Sequence, residues 1–150
     1  MNEDENFLIG EPADNGVWFV GESEVESIVA VAIGPDVGLR LTRIELADCA
    51  DVEALFARVA ARLRFPDWFG HNWDALQDCL RDLSWLPAAG HALVFEHAAA
   101  FRDADENSFE TLLDVLDAAA EDAAGNDIPW QAFMVLPDAE FDVLDPAFPA

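Results

Sequence analysis

The sequence predicts an α/β fold, a small parallel β-sheet covered by helices, and three observations predict it. Short β-branched and aromatic runs recur at 16–21, 39–46, 91–96 and 130–136. Between the last three the apolar spacing changes from two residues to about 3.6, the period of a helix. Those intervening stretches are long enough for the helical crossovers that parallel strands require. A further apolar run, SIVAVAIG at 27–34, follows the first strand after the acidic turn GESEVE. The pair 16–21 and 27–34 reads as an antiparallel β-hairpin added to the edge of the sheet or lying beside it.

Each element has its own signature. Gly-Pro-Asp-Val-Gly at 34–38 breaks the chain, and LRLTRIEL at 39–46 then alternates apolar and polar as a strand with one buried face does. Val52, Leu55, Phe56, Val59, Ala60 and Leu63 fall on one side of a helix. Asp48 or Asp51 serves as its N-cap, and Phe65-Pro66 ends it, because proline disfavours helical geometry in the residue before it. After the loop PDWFGHN, Asn72 caps a second helix to about Leu83, with Trp73, Leu76, Leu80 and Leu83 inward. HALVFE at 91–96 reads as a strand buried on both faces. Asn107 or Ser108 opens a third helix, with Glu110 near the third position of a capping box and Phe109, Leu112, Leu113, Leu116 and Ala120 inward. Gly125 stops it, WQAFMVL is the last strand, and PDAEFDVLDPAFPA is a Pro-rich acidic tail that need not be ordered.

The 150 residues carry 31 Asp plus Glu against 7 basic residues, all of them Arg, for a net charge of -24. A hydrophobic content of 53% supplies the core of one domain and argues against charge-driven disorder. A surface this anionic repels nucleic acids and anionic membranes, so the expected partner is cationic. The start, MNEDENFLIG, has acids where a secretory signal has bases, and the longest uncharged apolar run, 28–33, is too short to span a bilayer. A soluble cytoplasmic protein is expected. Cys49 and Cys79 lie in apolar patterns that suit reduced, buried thiols.

The segment WFGHNWDALQDCL at 68–80 breaks the ordinary rules for a surface helix. Asp74 and Asp78 are four apart, hence neighbours on one face, a like-charge pairing that costs a few tenths of a kcal/mol (about 0.2–0.5) in an isolated helix. The helix dipole compensates Asp74 near the N-terminus, but not Asp78 a turn further in. Trp68 and Phe69 occupy the lead-in loop, where polar residues are usual. An aromatic loop beside an acidic helix face suits the reception of a cationic site. The residues equally allow a structural reading, in which the carboxylate pair follows from abundant acids and the two aromatics turn inward as a lid on the core.

From about Arg43 to Leu136 the chain resembles the barstar family, small acidic bacterial inhibitors of barnase-like and related ribonucleases. The resemblance rests on the strand RIEL, the helix VEALFARVAARLRF, the signature PDWFGHNWDALQDCL, the strand ALVFE, the helix FETLLDVLDAA and the strand FMVL. It implies a small three-stranded parallel sheet flanked by helices, with the N-terminal hairpin as an addition. The implied organisation is an extension at 1–40, a barstar-like domain at 41–137 and an acidic tail at 138–150. It also implies an intracellular inhibitor, an antitoxin or immunity protein, that plugs the active site of a basic bacterial ribonuclease or nuclease toxin domain in a 1:1 complex and is a monomer when free. Asp78 is then the central carboxylate, Asp74 pairs with an adjacent cation, and Trp68 stacks on a catalytic histidine. Phe69, Gly70 and Asn72 complete the loop and helix start.

Departures from the family pattern lie at Gln77, where an aromatic is expected, and at Ala118, where an acid is expected. Asp114 and Glu121 lie on nearly the same face as Ala118 and are candidate substitutes, and Trp85 is a further candidate contact. An enzyme is not expected. His71, Asp74 and Asp78 with His97 or Glu96 offer no fixed third metal ligand, and the chain has no HExxH, cysteine pair or phosphate-binding glycine loop, so neither metal nor cofactor is expected. The alternative from a different class is an acidic scaffold or regulatory protein-binding domain with no nuclease partner. Its acids then serve solubility, high-salt adaptation or mimicry of DNA, and they spread over all faces.

Overall fold

The four apolar runs lie side by side in a computed structural model that describes residues 9–142. They form β1 (Gly16–Gly21), β2 (Arg40–Glu45), β3 (His91–Glu96) and β4 (Trp130–Leu136), all parallel, in the order β1-β4-β3-β2. The parallel sheet flanked by helices is as the sequence predicts, but it has four strands where three were expected.

The N-terminal hairpin is not formed. The run at 27–34 belongs instead to a helix, α1 (Val25–Ile33), which carries the chain from β1 at one edge of the sheet to β2 at the other. Because β1 pairs parallel with β4, Trp18 opposite Phe133, and the next strand, β2, runs parallel to it at the far edge, the connection is a crossover and not a tight reversal after Gly21. The Glu24 carboxylate accepts a hydrogen bond from the Gly21 N–H at 2.8 Å and holds the turn that starts the helix. Val25, Ile28 and Ala32 are buried at helical spacing, so packing against the sheet overrides the strand preference of the β-branched residues.

The two faces of the sheet are covered unequally. α1 packs on one face with Val20, Leu39, Ala92, Val94, Phe133 and Val135. The larger core lies on the other face, where α2 (Val52–Leu63), α3 (Trp73–Asp82), α4 (Ala98–Ala104) and α5 (Glu106–Gly125) meet Ile44, Leu93, Phe95 and Met134. Alternate residues of β3 and β4 therefore go to opposite cores, which is why both strands read as almost uninterrupted apolar runs.

Side-chain caps set the helix starts. The Asp51 carboxylate accepts from the Ala54 N–H at 2.8 Å, which selects Asp51 over Asp48. α5 starts earlier than Asn107 or Ser108, because Asp105 accepts from the Ser108 N–H at 3.1 Å. The cause is α4, a short helix with no clear apolar period: it ends at Ala104, and Asp105 terminates it while capping the next. Part of the segment read as a tail is a helix, α6 (Asp138–Asp142). Arg102 on α4 makes a two-pronged ion pair with Glu140, at 2.8 and 2.7 Å, and Asp138 accepts from the Ser23 N–H at 3.1 Å. Residues 143–150 of that tail lie outside the described residues.

Candidate partner-binding site

The loop between α2 and α3 is built by separating its two aromatics. Phe69 is buried (7% exposed) and packs edge-on against Phe56 of α2 at 6.1 Å and Phe65 at 4.9 Å. Trp68 points outward and is 61% exposed. Its ring meets Trp85 edge-on at 6.4 Å, and Trp85 is held in turn by Phe65 and by a 2.9 Å hydrogen bond from its indole N–H to the Leu63 carbonyl. Trp68 is thus an exposed aromatic on an aromatic footing drawn from both sides of α3 in sequence.

Gly70, His71 and Asn72 aim the helix. The Asn72 side-chain oxygen accepts from the Ala75 N–H at 2.8 Å, and its amide donates to the Gly70 carbonyl at 3.2 Å. One side chain therefore caps α3 and closes the turn that precedes it. A Cβ on Gly70 would stand 3.1 Å from the Asn72 amide nitrogen, so glycine keeps this closure uncrowded. His71 takes a left-handed backbone conformation (φ 54°) and lays its ring against Phe69 at 4.8 Å.

On α3, Leu76, Cys79 and Leu80 are buried, whereas Asp74 and Asp78 share an exposed face. Neither carboxylate has a hydrogen bond or ion pair among the described residues. Gln77 is half-buried at the margin of that face. Burial pushes the Cys79 thiol up to about 11, with Asp78 and Asp82 adding to the effect, so it stays protonated and unreactive.

The candidates on α5 stand apart. Asp114 and Glu121 are exposed, as expected of a solvated stripe, but the α5 acid that reaches α3 is Asp122, which pairs with Arg81 at 3.4 Å. Sequence reasoning missed this contact, although an acid one residue beyond Glu121 was visible. His97 and Glu96 do not join His71 and the α3 aspartates. His97 pairs with Glu45, whose hydrogen bond raises the imidazole pKa, and Glu96 pairs with Arg43. Among the described residues no three His, Cys, Asp or Glu side chains are grouped as a metal site, and no helix is long and apolar enough to cross a membrane.

No curated protein matches this chain. Among solved structures it is similar to a chain in the structure of Drosophila ORC bound to DNA, at 17% identity and a TM-score of 0.56. The likeness covers 89% of this chain but 36% of that one, and at this identity it is a likeness of fold alone. A family model described as Barstar (barnase inhibitor) matches residues 39–135, from the entry to β2 almost to the end of β4. β1 and α1 lie outside the matched region, and the loop, α3 and α5 lie within it. With most of its length, α2 to α5 and the whole aromatic–acidic segment inside that match, the chain belongs to the barstar family.

Proposed function

We propose that this protein is an intracellular inhibitor, of the antitoxin or immunity type, that binds a basic ribonuclease one to one and plugs its active site with the exposed face of α3. One observation carries this reading: among the described residues Asp74 and Asp78 stand unpaired on one exposed face, on a helix whose start is pinned by Asn72, beside the exposed ring of Trp68. A ribonuclease site is lined with cations that bind phosphate and exchange protons. A carboxylate offers those cations the same acceptor oxygens and no bond to cleave. Asp78 enters the phosphate position, Asp74 takes a neighbouring cation and Trp68 stacks at the rim.

Desolvating two carboxylates is costly unless both meet cations with good geometry, which makes the contact selective for a basic pocket. The net charge of -24 steers a basic enzyme toward this surface and keeps RNA and DNA away from it. The DNA named with the ORC chain is therefore not carried over to this protein. The chain itself occupies a site and catalyses nothing.

The test is RNA cleavage by barnase, and by basic nuclease domains encoded beside this gene, with increasing amounts of the protein. Cleavage should fall to zero at one equivalent of a cognate enzyme. Asp78→Ala should weaken binding by at least ~2 kcal/mol, about 30-fold, the size of a buried interface hot spot. Binding within a factor of about two of wild type, the scale of an ordinary surface substitution, refutes plugging. Indifference of every basic nuclease tried favours the acidic scaffold.

A further inference from the structure

Five of the seven arginines, Arg40, Arg43, Arg58, Arg62 and Arg64, fall within 25 residues of this acidic chain, and β2 and α2 bring them to one edge of the sheet. Three have clear duties. Arg43 pairs with Glu96 and Glu26. Arg58 donates to the Glu45 and Ala47 carbonyls at 2.9 and 2.6 Å, and the Nε of Arg62 donates to the Arg43 carbonyl at 2.8 Å. β2 is an edge strand, so Arg58 and Arg62 occupy carbonyls that another chain's strand would otherwise pair with.

Arg40 and Arg64 have no such duty. Neither side chain has a hydrogen bond or ion pair among the described residues, and both line one polar cleft with Arg62, Leu41, Thr42 and Ala61. The chain holds 31 carboxylates for 7 guanidinium groups, yet none of the described ones reaches this cleft. Arg64 is also the residue that ends α2 in a left-handed conformation (φ 56°), where glycine or asparagine is the easier choice. Uncompensated charge is felt nearby: burial, and after it the charge of Arg40, pushes the His91 imidazole down to about 4.

We propose that the cleft formed by Arg40, Arg62 and Arg64 binds a phosphate-type dianion, free or carried by a small molecule. A phosphate group offers two charges and several acceptor oxygens to guanidinium groups approaching from β2 and from the end of α2. A single carboxylate offers half that charge. A long polyanion such as nucleic acid is opposed by the charge of the rest of the molecule. The site is on other elements than the aspartates of α3 and is independent of nuclease inhibition.

Isothermal titration of the full chain with inorganic phosphate, and separately with ADP, at fixed ionic strength tests the proposal. Saturable binding tighter than about 1 mM to at least one of them is expected. Arg40→Gln combined with Arg64→Gln should weaken it at least about tenfold, a 1.4 kcal/mol change. Tighter binding of ADP assigns a nucleotide as the source, and equal binding assigns phosphate itself. Neither guanidinium makes a hydrogen bond or ion pair among the described residues, so the variant should keep its circular dichroism and melting temperature. If it does not, Arg64→Lys, which keeps the charge but loses the planar fork, should still weaken binding. Heat that tracks salt alone, or variants that bind as wild type does, overturn the proposal.

Discussion

The acidic helices α3 and α5 differ less in charge than in what surrounds that charge. α5 carries Glu110, Asp114, Asp117 and Glu121 along one exposed stripe, and its only aromatic, Phe109, is buried. α3 carries fewer acids on its exposed face, but Asn72 fixes its start, Phe69 anchors its lead-in loop, and Trp68 stands exposed beside it on Trp85. A stripe of charge with no exposed aromatic beside it attracts a basic partner from a distance and gives it no single pose. Charge on an immobilised frame loses less entropy when it is bound, and the aromatic supplies apolar area that a carboxylate lacks. Counting acids therefore locates the partner's sign, and the frame locates the contact.

The frame can be broken at Phe69. Phe69→Ala removes a ring buried among Phe56 and Phe65, and should destabilise the protein by about 3–5 kcal/mol in urea unfolding. A loss below about 1 kcal/mol, that of a surface change, would mean the loop is not anchored and would remove the distinction from α5.

Trp68→Ala tests the outward half of the pair. With its ring 61% exposed, the substitution should change folding stability by less than about 0.5 kcal/mol. Binding to a cognate nuclease should weaken by about 2 kcal/mol, because exposed tryptophans flanked by charge serve as anchors. The opposite result, large in unfolding and absent in binding, would make Trp68 a lid on the core. Asn72→Ala comes next in size, with about 1 kcal/mol lost from stability as the Ala75 N–H and the Gly70 carbonyl both lose their partner. Asn72→Asp restores the cap but cannot donate to Gly70, and should recover most of that loss.

How much of this was legible depended on how many elements each residue's role involved. β3 and β4 were readable because burial on both faces leaves apolar runs such as HALVFE with few other interpretations, whereas β1 was recognised as a strand but assigned to an antiparallel hairpin. The Asn72 cap was readable because a cap needs only its own helix. VESIVAVAI satisfied strand propensity and helical spacing at once, and the choice was made by its packing on Val94, Phe133 and Val135, which are distant in sequence. α4 escaped notice because AAAFRDA is short and buries only Ala98 and Phe101, too few positions to show a period. The opposite directions of Trp68 and Phe69 carry no periodic signal at all. They are set by Phe56, Phe65 and Trp85, from three separate stretches of chain. The duties of Arg58 and Arg62 were hidden for the same reason, since they depend on β2 being an edge strand.

The smallest effect is expected on α5, and it bears most directly on the contrast between the helices. Asp114→Asn with Glu121→Gln keeps both side-chain shapes and moves the net charge from -24 to -22. If the stripe only steers, the association rate with a basic nuclease should fall less than about twofold at low salt. The difference should fade as added salt shortens the screening length to less than about 10 Å. The dissociation rate should stay unchanged, because exposed, unanchored charges contribute little once the complex has formed. Asp78→Ala should instead act mainly on dissociation and persist in salt. A double substitution on α5 that speeds dissociation as much as Asp78→Ala would show that Asp114 and Glu121 replace the acid missing at Ala118. The contact would then extend across both helices.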